Sequence, residues 1–366
     1  MPREQLEAIL LVGGKGTRLR PLTLSVPKPL LPTAGVPFLC HQLARAAASG
    51  ITHVVLATSY RSQMFGECLG DGSAFGLRID YVHEGTPLGT GGGIRNAAGR
   101  LRGGPGDPVV VLNGDILSGH DIGAQVNLHS EAGAAATLHL IEVADPARYG
   151  CVPADERGRV TAFLEKTPDP VTNLVNAGCY VFTRRVIDEI PAGRRVSVER
   201  ETFPALIQRG DLVMAFPDSG YWLDVGTPEA FVRGSCDLVL GKLPAPALPS
   251  PVFPGPPGPS LRLPGALVGE GADVSAGSVL GAGSVVSPGA VVGGSVLFDE
   301  ARVGPGAVVR GSILGRGAEA AEGAVLDGVV IGDGAYVGPG NELARGMRVW
   351  PGVRLGPTAI RFSSDA

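Results

Sequence analysis

Three cations, Lys15, Arg18 and Lys28, stand in or just beyond the run Leu10-Leu11-Val12-Gly13-Gly14-Lys15-Gly16-Thr17-Arg18-Leu19-Arg20-Pro21, which Pro27-Lys28-Pro29 follows. Glycines carry no β-carbon, so main-chain N–H groups in such a turn can close on an anion. Fixed guanidinium and ammonium heads then neutralise the charge that amides alone leave unmet. The loop is suited to a polyphosphate. It is neither a dinucleotide fingerprint nor a Walker loop: counted from Gly14, the third glycine of G-x-G-x-x-G would fall on Leu19, and no G-K-[ST] occurs.

Acidic and polar residues supply the complementary chemistry. Asp115 follows the apolar run Val109-Val110-Val111-Leu112 and the pair Asn113-Gly114, so its carboxylate is expected over the same sheet edge as the glycine loop. Asp224 sits in Tyr221-Trp222-Leu223-Asp224-Val225-Gly226-Thr227-Pro228. Two hard oxygen donors beside a polyphosphate suit Mg²⁺, which takes one or two carboxylates and completes its shell with phosphate oxygens and water. Read singly, either aspartate could equally be a turn or cap residue. Glu84 precedes Pro87-Leu88-Gly89-Thr90-Gly91-Gly92. A carboxylate accepts from guanine N1–H and the 2-amino group together, a donor pair that adenine and uracil lack, although a solvated loop acid would look the same. In Phe163-Leu164-Glu165-Lys166 and Asn176-Ala177-Gly178-Cys179-Tyr180, a Glu could accept from sugar hydroxyls, a Lys could meet a phosphate and an Asn could do both jobs. Taken alone, Glu-Lys pairs are common on solvated surfaces.

The spelling G-G-x-G-T-R-L with a downstream P-K-P resembles the sugar-1-phosphate nucleotidylyltransferases. That resemblance implies that Lys15 and Arg18 hold the β- and γ-phosphates, and that Lys28 and Lys166 meet the reacting phosphates. It implies that Asp115 and Asp224 share Mg²⁺. The nucleotide would be addressed by Leu11, Gly13, Gly14, Gly16, Thr17, Glu84, Gly89 and Asp115, and the sugar phosphate by Glu165, Lys166, Asn176 and Gly178. One departure is Thr167, where the family's E-K-P has proline, which comes one place later at Pro168. The segment from Glu84 to Gly92 is similar to the branch of the family that makes GDP-mannose, so GTP and mannose 1-phosphate are the expected substrates. The same chemistry on glucose, heptose or valienol 1-phosphate is the alternative, as is a non-catalytic regulatory subunit that binds sugar nucleotides. Such a subunit is expected to lose a metal aspartate or the loop arginine, and this chain keeps Arg18, Asp115 and Asp224.

These residues need elements to hold them. From Glu7 the pattern reads strand, glycine loop, helix over Phe38 to Ala48 ending at Gly50, and strand over His53 to Ala57. A short strand from Leu77 to Val82, a helix from about Gly92 to Leu101 and a buried strand from Val109 to Leu112 continue the alternation. This predicts an α/β sheet with ligands beyond the carboxyl ends of its strands, and the resemblance implies that it is a Rossmann-like nucleotidyltransferase domain, over 1–240. Prolines crowd Pro244 to Pro259, which predicts a stiff connector over 241–264. Over 265–358 aliphatics recur every sixth residue, as at Val268, Val274, Leu280, Val286 and Val292, and then from Ile331 to Leu355. That period predicts stacked β-helix coils and resembles the left-handed β-helix of hexapeptide-repeat proteins. Phase breaks near 298 and 330 predict one longer loop and one tightened turn. All six histidines precede residue 140, so the coils lack the histidine base on which hexapeptide acyltransferases commonly rely, and assembly or regulation is their expected role.

The 366-residue chain has 31 basic against 35 acidic residues, which argues against a nucleic-acid or membrane surface. Five cysteines, widely spaced and without C-x-x-C, predict reduced thiols packed as small hydrophobes. No signal peptide and no apolar stretch of about 20 residues is found. A cytoplasmic homo-oligomer is expected.

Overall fold

The computed structural model describes residues 6–165, 167–254, 258–344 and 346–361. Two compact units emerge, one of Met1–Gly14 with Gln42–Trp222, the other of Lys15–His41 with Leu223–Ala366.

The first unit is built on a nine-stranded mixed sheet. Its centre is Leu6–Leu11, buried through the middle and flanked in parallel by Ile51–Thr58 and Pro108–Asn113. A strand covered on both faces is expected to be apolar, and this one is so at every position except Glu7. Register decides function here: Leu11 pairs with both Ala57 and Asn113, so Gly13-Gly14 and Gly114-Asp115 leave the sheet at one edge. Arg78–His83 extends the sheet beyond Ile51–Thr58, while Leu174–Thr183 adds antiparallel to Pro108–Asn113. Ala136–Glu142 and Val213–Asp218 pair outward from Leu174–Thr183, and the short strands Gly150–Cys151 and Leu164–Glu165 attach at its other end. The core lies between this sheet and its helices, with Ile9, Val55, Ile94, Val111, Tyr180 and Phe203 essentially inaccessible.

The helix expected from about Gly92 to Leu101 runs instead over Gly89–Ala98. Its opening turns hold Gly91, Gly92 and Gly93, poor helix formers among which the expected start fell. Tight packing explains them: a β-carbon on Gly91 would stand 2.9 Å from Val196 Cγ1, and one on Gly92 2.7 Å from the Arg194 carbonyl oxygen. The stretch Phe163-Leu164-Glu165-Lys166 contributes a two-residue strand, Leu164–Glu165, and Lys166 itself lies outside the described residues. Asn176 is the third residue of the strand Leu174–Thr183. Cys151, Cys179 and Cys236 are buried as expected, whereas Cys68 is exposed. Among the described residues no helix is long and apolar enough to cross a membrane.

In the second unit, parallel strands of two or three residues stack into three sheets of hexapeptide coils, consistent with a left-handed β-helix. Every sixth-residue aliphatic from Leu280 to Val349 points into a continuous core. The phase breaks are not one loop and one turn. Three coils are each 17 residues long, pairing Val279 with Val296, Val296 with Ile313 and Ile313 with Val330. Coils on either side are 18 long, as in Leu261 with Val279 and Val330 with Arg348. The lost residue comes from the same corner each time, where Gly294, Gly311 and Gly328 take φ of +53°, +53° and +63°. Buried serines line that corner: Ser278 Oγ accepts from Ser295 N–H (3.2 Å), Ser295 Oγ from Ser312 N–H (3.2 Å) and Ser312 Oγ from Val329 N–H (3.1 Å). Within the proline-rich stretch, Val252–Phe253 pairs antiparallel with Ser260 and Leu261 as an edge strand, the one sheet position that proline neighbours tolerate well.

Candidate active site

In the first unit the glycine loop starts one residue later than its strand. Val12 N–H donates to the Ala57 carbonyl at 3.1 Å, and only then does the chain turn out. Gly14, at φ +108°, donates its N–H to Ser59 Oγ at 3.3 Å, and a β-carbon on Gly13 would stand 3.2 Å from the same hydroxyl. Bare amides here are a steric requirement. Across the strand ends, Gly114 N–H donates to the Leu11 carbonyl at 2.8 Å, and a β-carbon on Gly114 would collide with that oxygen. Gln42, on the helix Phe38–Ala48, donates from Nε2 to both the Asn113 and Ile116 carbonyls at 2.9 Å. Its two bonds straddle Asp115 and fix the half-buried turn that carries it.

Beside that turn lie the expected sugar residues. Gly178, at φ +78°, donates to Asn176 Oδ1 at 3.0 Å, and Asn176 Nδ2 donates to Tyr180 Oη at 2.7 Å. A β-carbon on Gly178 would approach Asn113 Nδ2 to 2.8 Å, so the two strand ends close on each other. Asn176 still pairs with Leu140, but the register with Ala136–Glu142 slips between Asn176 and Tyr180, and Gly178 sits in that irregularity. Burial pushes the Tyr180 phenol well above its ordinary range, so it serves as a neutral hydrogen-bonding group. Trp222 Nε1 donates to the Ala177 carbonyl at 2.9 Å, and the Tyr149 ring meets the indole edge-on at 5.5 Å. Glu165 pairs with Gly150, whose missing β-carbon leaves room for the Glu165 carboxylate 2.8 Å away.

Glu84 is held where Ile51–Thr58 ends. Its N–H donates to the Thr58 carbonyl at 2.9 Å, and its Oε2 accepts from Leu88 N–H at 3.3 Å. Oε1 lies 2.5 Å from where a β-carbon on Gly93 would be. Burial raises its carboxyl above the usual range, and the Leu88 amide partly offsets this. It is therefore not a solvated loop acid. Gly89, at φ +72°, packs under the Val196 carbonyl, while Thr90 Oγ1 donates to Glu199 Oε2 at 2.8 Å.

Cations and the other aspartate belong to the second unit. Gly16, at φ +57°, lies close beneath Lys28 and Thr23, with Lys28 Cβ and Thr23 Cγ2 each 3.0 Å from where its β-carbon would be. Thr23 Oγ1 donates to the Gly16 carbonyl at 2.8 Å. A single helical turn, Thr17–Leu19, follows; Leu19 is buried while Lys15, Thr17 and Arg18 are exposed. Asp224 ends the strand Trp222–Asp224. A β-carbon on Gly226 would stand 2.6 Å from Arg18 Nη2 and 3.0 Å from Asp224 Oδ1, so Gly226 leaves room beside it for both the guanidinium and the carboxylate.

The first unit thus gathers Leu11, Gly13, Gly14, Glu84, Gly89, Asp115, Glu165, Asn176 and Gly178, and the second Lys15, Gly16, Thr17, Arg18, Lys28 and Asp224. Sequence reasoning missed Gln42, Ser59 and Gly226. Ser59 directly follows a strand that ends beside the glycine loop, and Gly226 lies two residues past a candidate metal ligand. Gln42 gave no signal, standing on a helix that also carries His41 and Arg45 and belonging to no motif.

Strand-end amides and carboxylates on the α/β sheet of the first unit, with a cationic loop and hexapeptide coils in the second, are the parts of a nucleotidyltransferase. The chain belongs to the nucleotidyl transferase family, whose model matches residues 7–239, and a GlmU-like C-terminal hexapeptide model matches residues 264–345. It is 55% identical over 366 residues, covering 100% of each chain, to the mannose-1-phosphate guanylyltransferase of Mycobacterium tuberculosis. It is 40% identical over 233 residues to the mannose-1-phosphate guanylyltransferase catalytic subunit beta of Xenopus tropicalis, covering 63% of this chain and 64% of that one. Among solved structures, HddC from Yersinia pseudotuberculosis complexed with GMP-PN is 26% identical with a TM-score of 0.54, covering 64% of this chain and 99% of that one.

Proposed function

We propose that this protein transfers the guanylyl group of GTP to mannose 1-phosphate and releases pyrophosphate, working in the cytoplasm as a homo-oligomer. The observation that carries the substrate assignment is the 55% identity over the full length to a protein of that activity. Residues 1–240 would do the chemistry, 241–264 connect, and 265–358 form the coils.

In the proposed reaction a phosphate oxygen of the sugar phosphate attacks the α-phosphorus in line, and the bond to the β-phosphate oxygen breaks. Positioning and charge neutralisation carry such a step. Lys15 and Arg18 hold the β- and γ-phosphates and neutralise the charge that grows on the leaving pyrophosphate. Lys28 and Lys166 meet the reacting phosphates. Amides of Gly13 and Gly14 close on the triphosphate, with Leu11, Gly16, Thr17 and Gly89 shaping the nucleotide's bed. Glu84 accepts from the guanine N1–H and 2-amino group, and its half-buried carboxylate, held by Leu88 N–H, makes that preference sharper than a mobile acid could. Glu165, Asn176 and Gly178 take the sugar.

Asp115 and Asp224 have the chemistry for Mg²⁺. Each offers hard carboxylate oxygens at or just past a strand end, and among the described residues no three His, Cys, Asp or Glu side chains converge to form an all-protein cage. Phosphate oxygens and water would complete such a shell. When bound, Mg²⁺ would supply charge neutralisation on the phosphates.

A matrix of four nucleoside triphosphates against several sugar 1-phosphates, read by pyrophosphate release, tests the assignment. GTP with mannose 1-phosphate should give the highest kcat/KM. Turnover with dTTP or ATP but none with GTP would overturn the role of Glu84.

A further inference from the structure

The coils and the cationic loop belong to one compact unit, in which residues 15–41 pack with the hexapeptide repeats. That segment is fixed near both ends of its length. At its far end, the hairpin of Pro32–Thr33 and Val36–Pro37 sits on the first coil: a β-carbon on Gly35 would stand 3.0 Å from Leu263 Cδ2 and 3.2 Å from Leu261 Cδ2. Ser235 Oγ, on the helix Pro228–Val239, accepts from Ala34 N–H at 3.4 Å, and Phe231 of that helix meets Phe298 of the coils at 6.3 Å. At the other end, Arg348 in the last strand of the seven-stranded sheet donates from Nη1 to the Arg20 carbonyl at 2.7 Å.

Leu261 and Arg348 lie on the Ser260–Arg262 and Arg348–Val349 strands of that one sheet, five strand spacings apart, or about 24 Å at the usual interstrand distance. The loop segment therefore runs the length of the coil stack. Arg20 closes the turn that carries Arg18, its N–H donating to the Thr17 carbonyl at 3.2 Å. Leu19 pins this turn from within and Arg348 from outside.

We infer that the hexapeptide stack is the mount of the phosphate loop, and that Arg348 is a positioning residue which holds the Thr17–Arg20 turn so that Arg18 stays in its working place. This rests on the proposed role of Arg18 and extends it to a part of the chain far away in sequence. Nothing in the position of Arg348 requires it to touch a substrate.

The full-length Arg348→Ala and Arg348→Lys proteins test this, with Arg18→Ala beside them. Arg348 is exposed, so the alanine protein should melt where the native one does. Amide exchange in peptides covering residues 17–24 should be at least fivefold faster, and kcat for pyrophosphate release from GTP and mannose 1-phosphate should fall five- to tenfold with KM for mannose 1-phosphate within twofold. Lysine, which keeps a donor on a shorter reach, should restore part of both. If kcat of Arg348→Ala stays within twofold of native, or falls without faster exchange in that segment, the inference is overturned. An Arg18→Ala protein with native kcat would instead strike at the site reading, and the exchange and turnover of the Arg348 variants would still decide the mounting role.

Discussion

Replacing Gly226 by alanine should separate catalysis from folding. The added methyl would lie 2.6 Å from Arg18 Nη2, 3.0 Å from Arg18 Cζ and 3.0 Å from Asp224 Oδ1. Ordinary carbon–nitrogen contact needs roughly 3.5 Å, so the guanidinium must retreat by about 1 Å. That retreat is cheap for the fold, because the side chain is long and Arg18 is exposed, and Gly226 is not among the residues with positive φ. It is costly for chemistry: a charged hydrogen bond to phosphate is worth about 1.5–3 kcal/mol, and a displacement of about 1 Å can forfeit most of it. We expect kcat/KM to fall roughly 10- to 100-fold while the melting temperature moves by less than about 2 °C. Pyrophosphate release at varied GTP, set beside a calorimetric melt, reads both. If kcat/KM stays within threefold of native, or if activity and melting temperature fall in parallel, the steric account of Gly226 is wrong.

Gly114→Ala should do the reverse, because its β-carbon meets the Leu11 carbonyl, which cannot move without the central strand; a loss of about 2–4 kcal/mol in urea unfolding is expected, and a native midpoint would refute it. Glu84→Gln keeps the shape and can still accept from Leu88 N–H, but it cannot accept from both guanine donors, so KM for GTP should rise about tenfold while KM for mannose 1-phosphate holds. Burial holds the stacked imidazoles of His120 and His139 down to about 2 and about 4, against 6.5 when free. The unfolded chain therefore takes up their protons first, and stability that is complete above pH 6.5 drains away as pH falls toward 4, by up to about 1.4 kcal/mol per pH unit for each. His139→Phe should flatten the slope of urea midpoint between pH 7 and pH 5; identical slopes in both proteins would remove His139 from that account.

Much of this was legible because period and spacing are local properties. The strand before Gly13 is apolar from Ala8 to Leu11, and the coil aliphatics keep a six-residue beat that only a stacked helix needs. Where the reading slipped, tertiary contact had overruled local preference. Successive glycines hid the true start of a helix, which begins at Gly89 and not at about Gly92, because Val196 and Glu84 leave no room there for side chains. The coil phase looked irregular because one residue is dropped at the same corner three times, a regularity seen only once Val279, Val296, Ile313 and Val330 stand in a column. Glu84 was open to two readings; it is half-buried, and its carboxylate accepts from Leu88 N–H. Gln42 acts through two main-chain carbonyls distant in sequence, a role with no residue pattern of its own.

The serine column at the short corners carries one more consequence. Each hydroxyl receives an amide of the next coil in a place water cannot reach, so Ser278, Ser295 and Ser312 join four coils like rungs sharing a single rail. The rail stops at Val329, which has no hydroxyl to pass on. Loosening that starts from the carboxyl-terminal coil on heating should therefore spread freely as far as Val329 and then stall. A brief protease digest near the melting temperature would leave a fragment ending close to that residue.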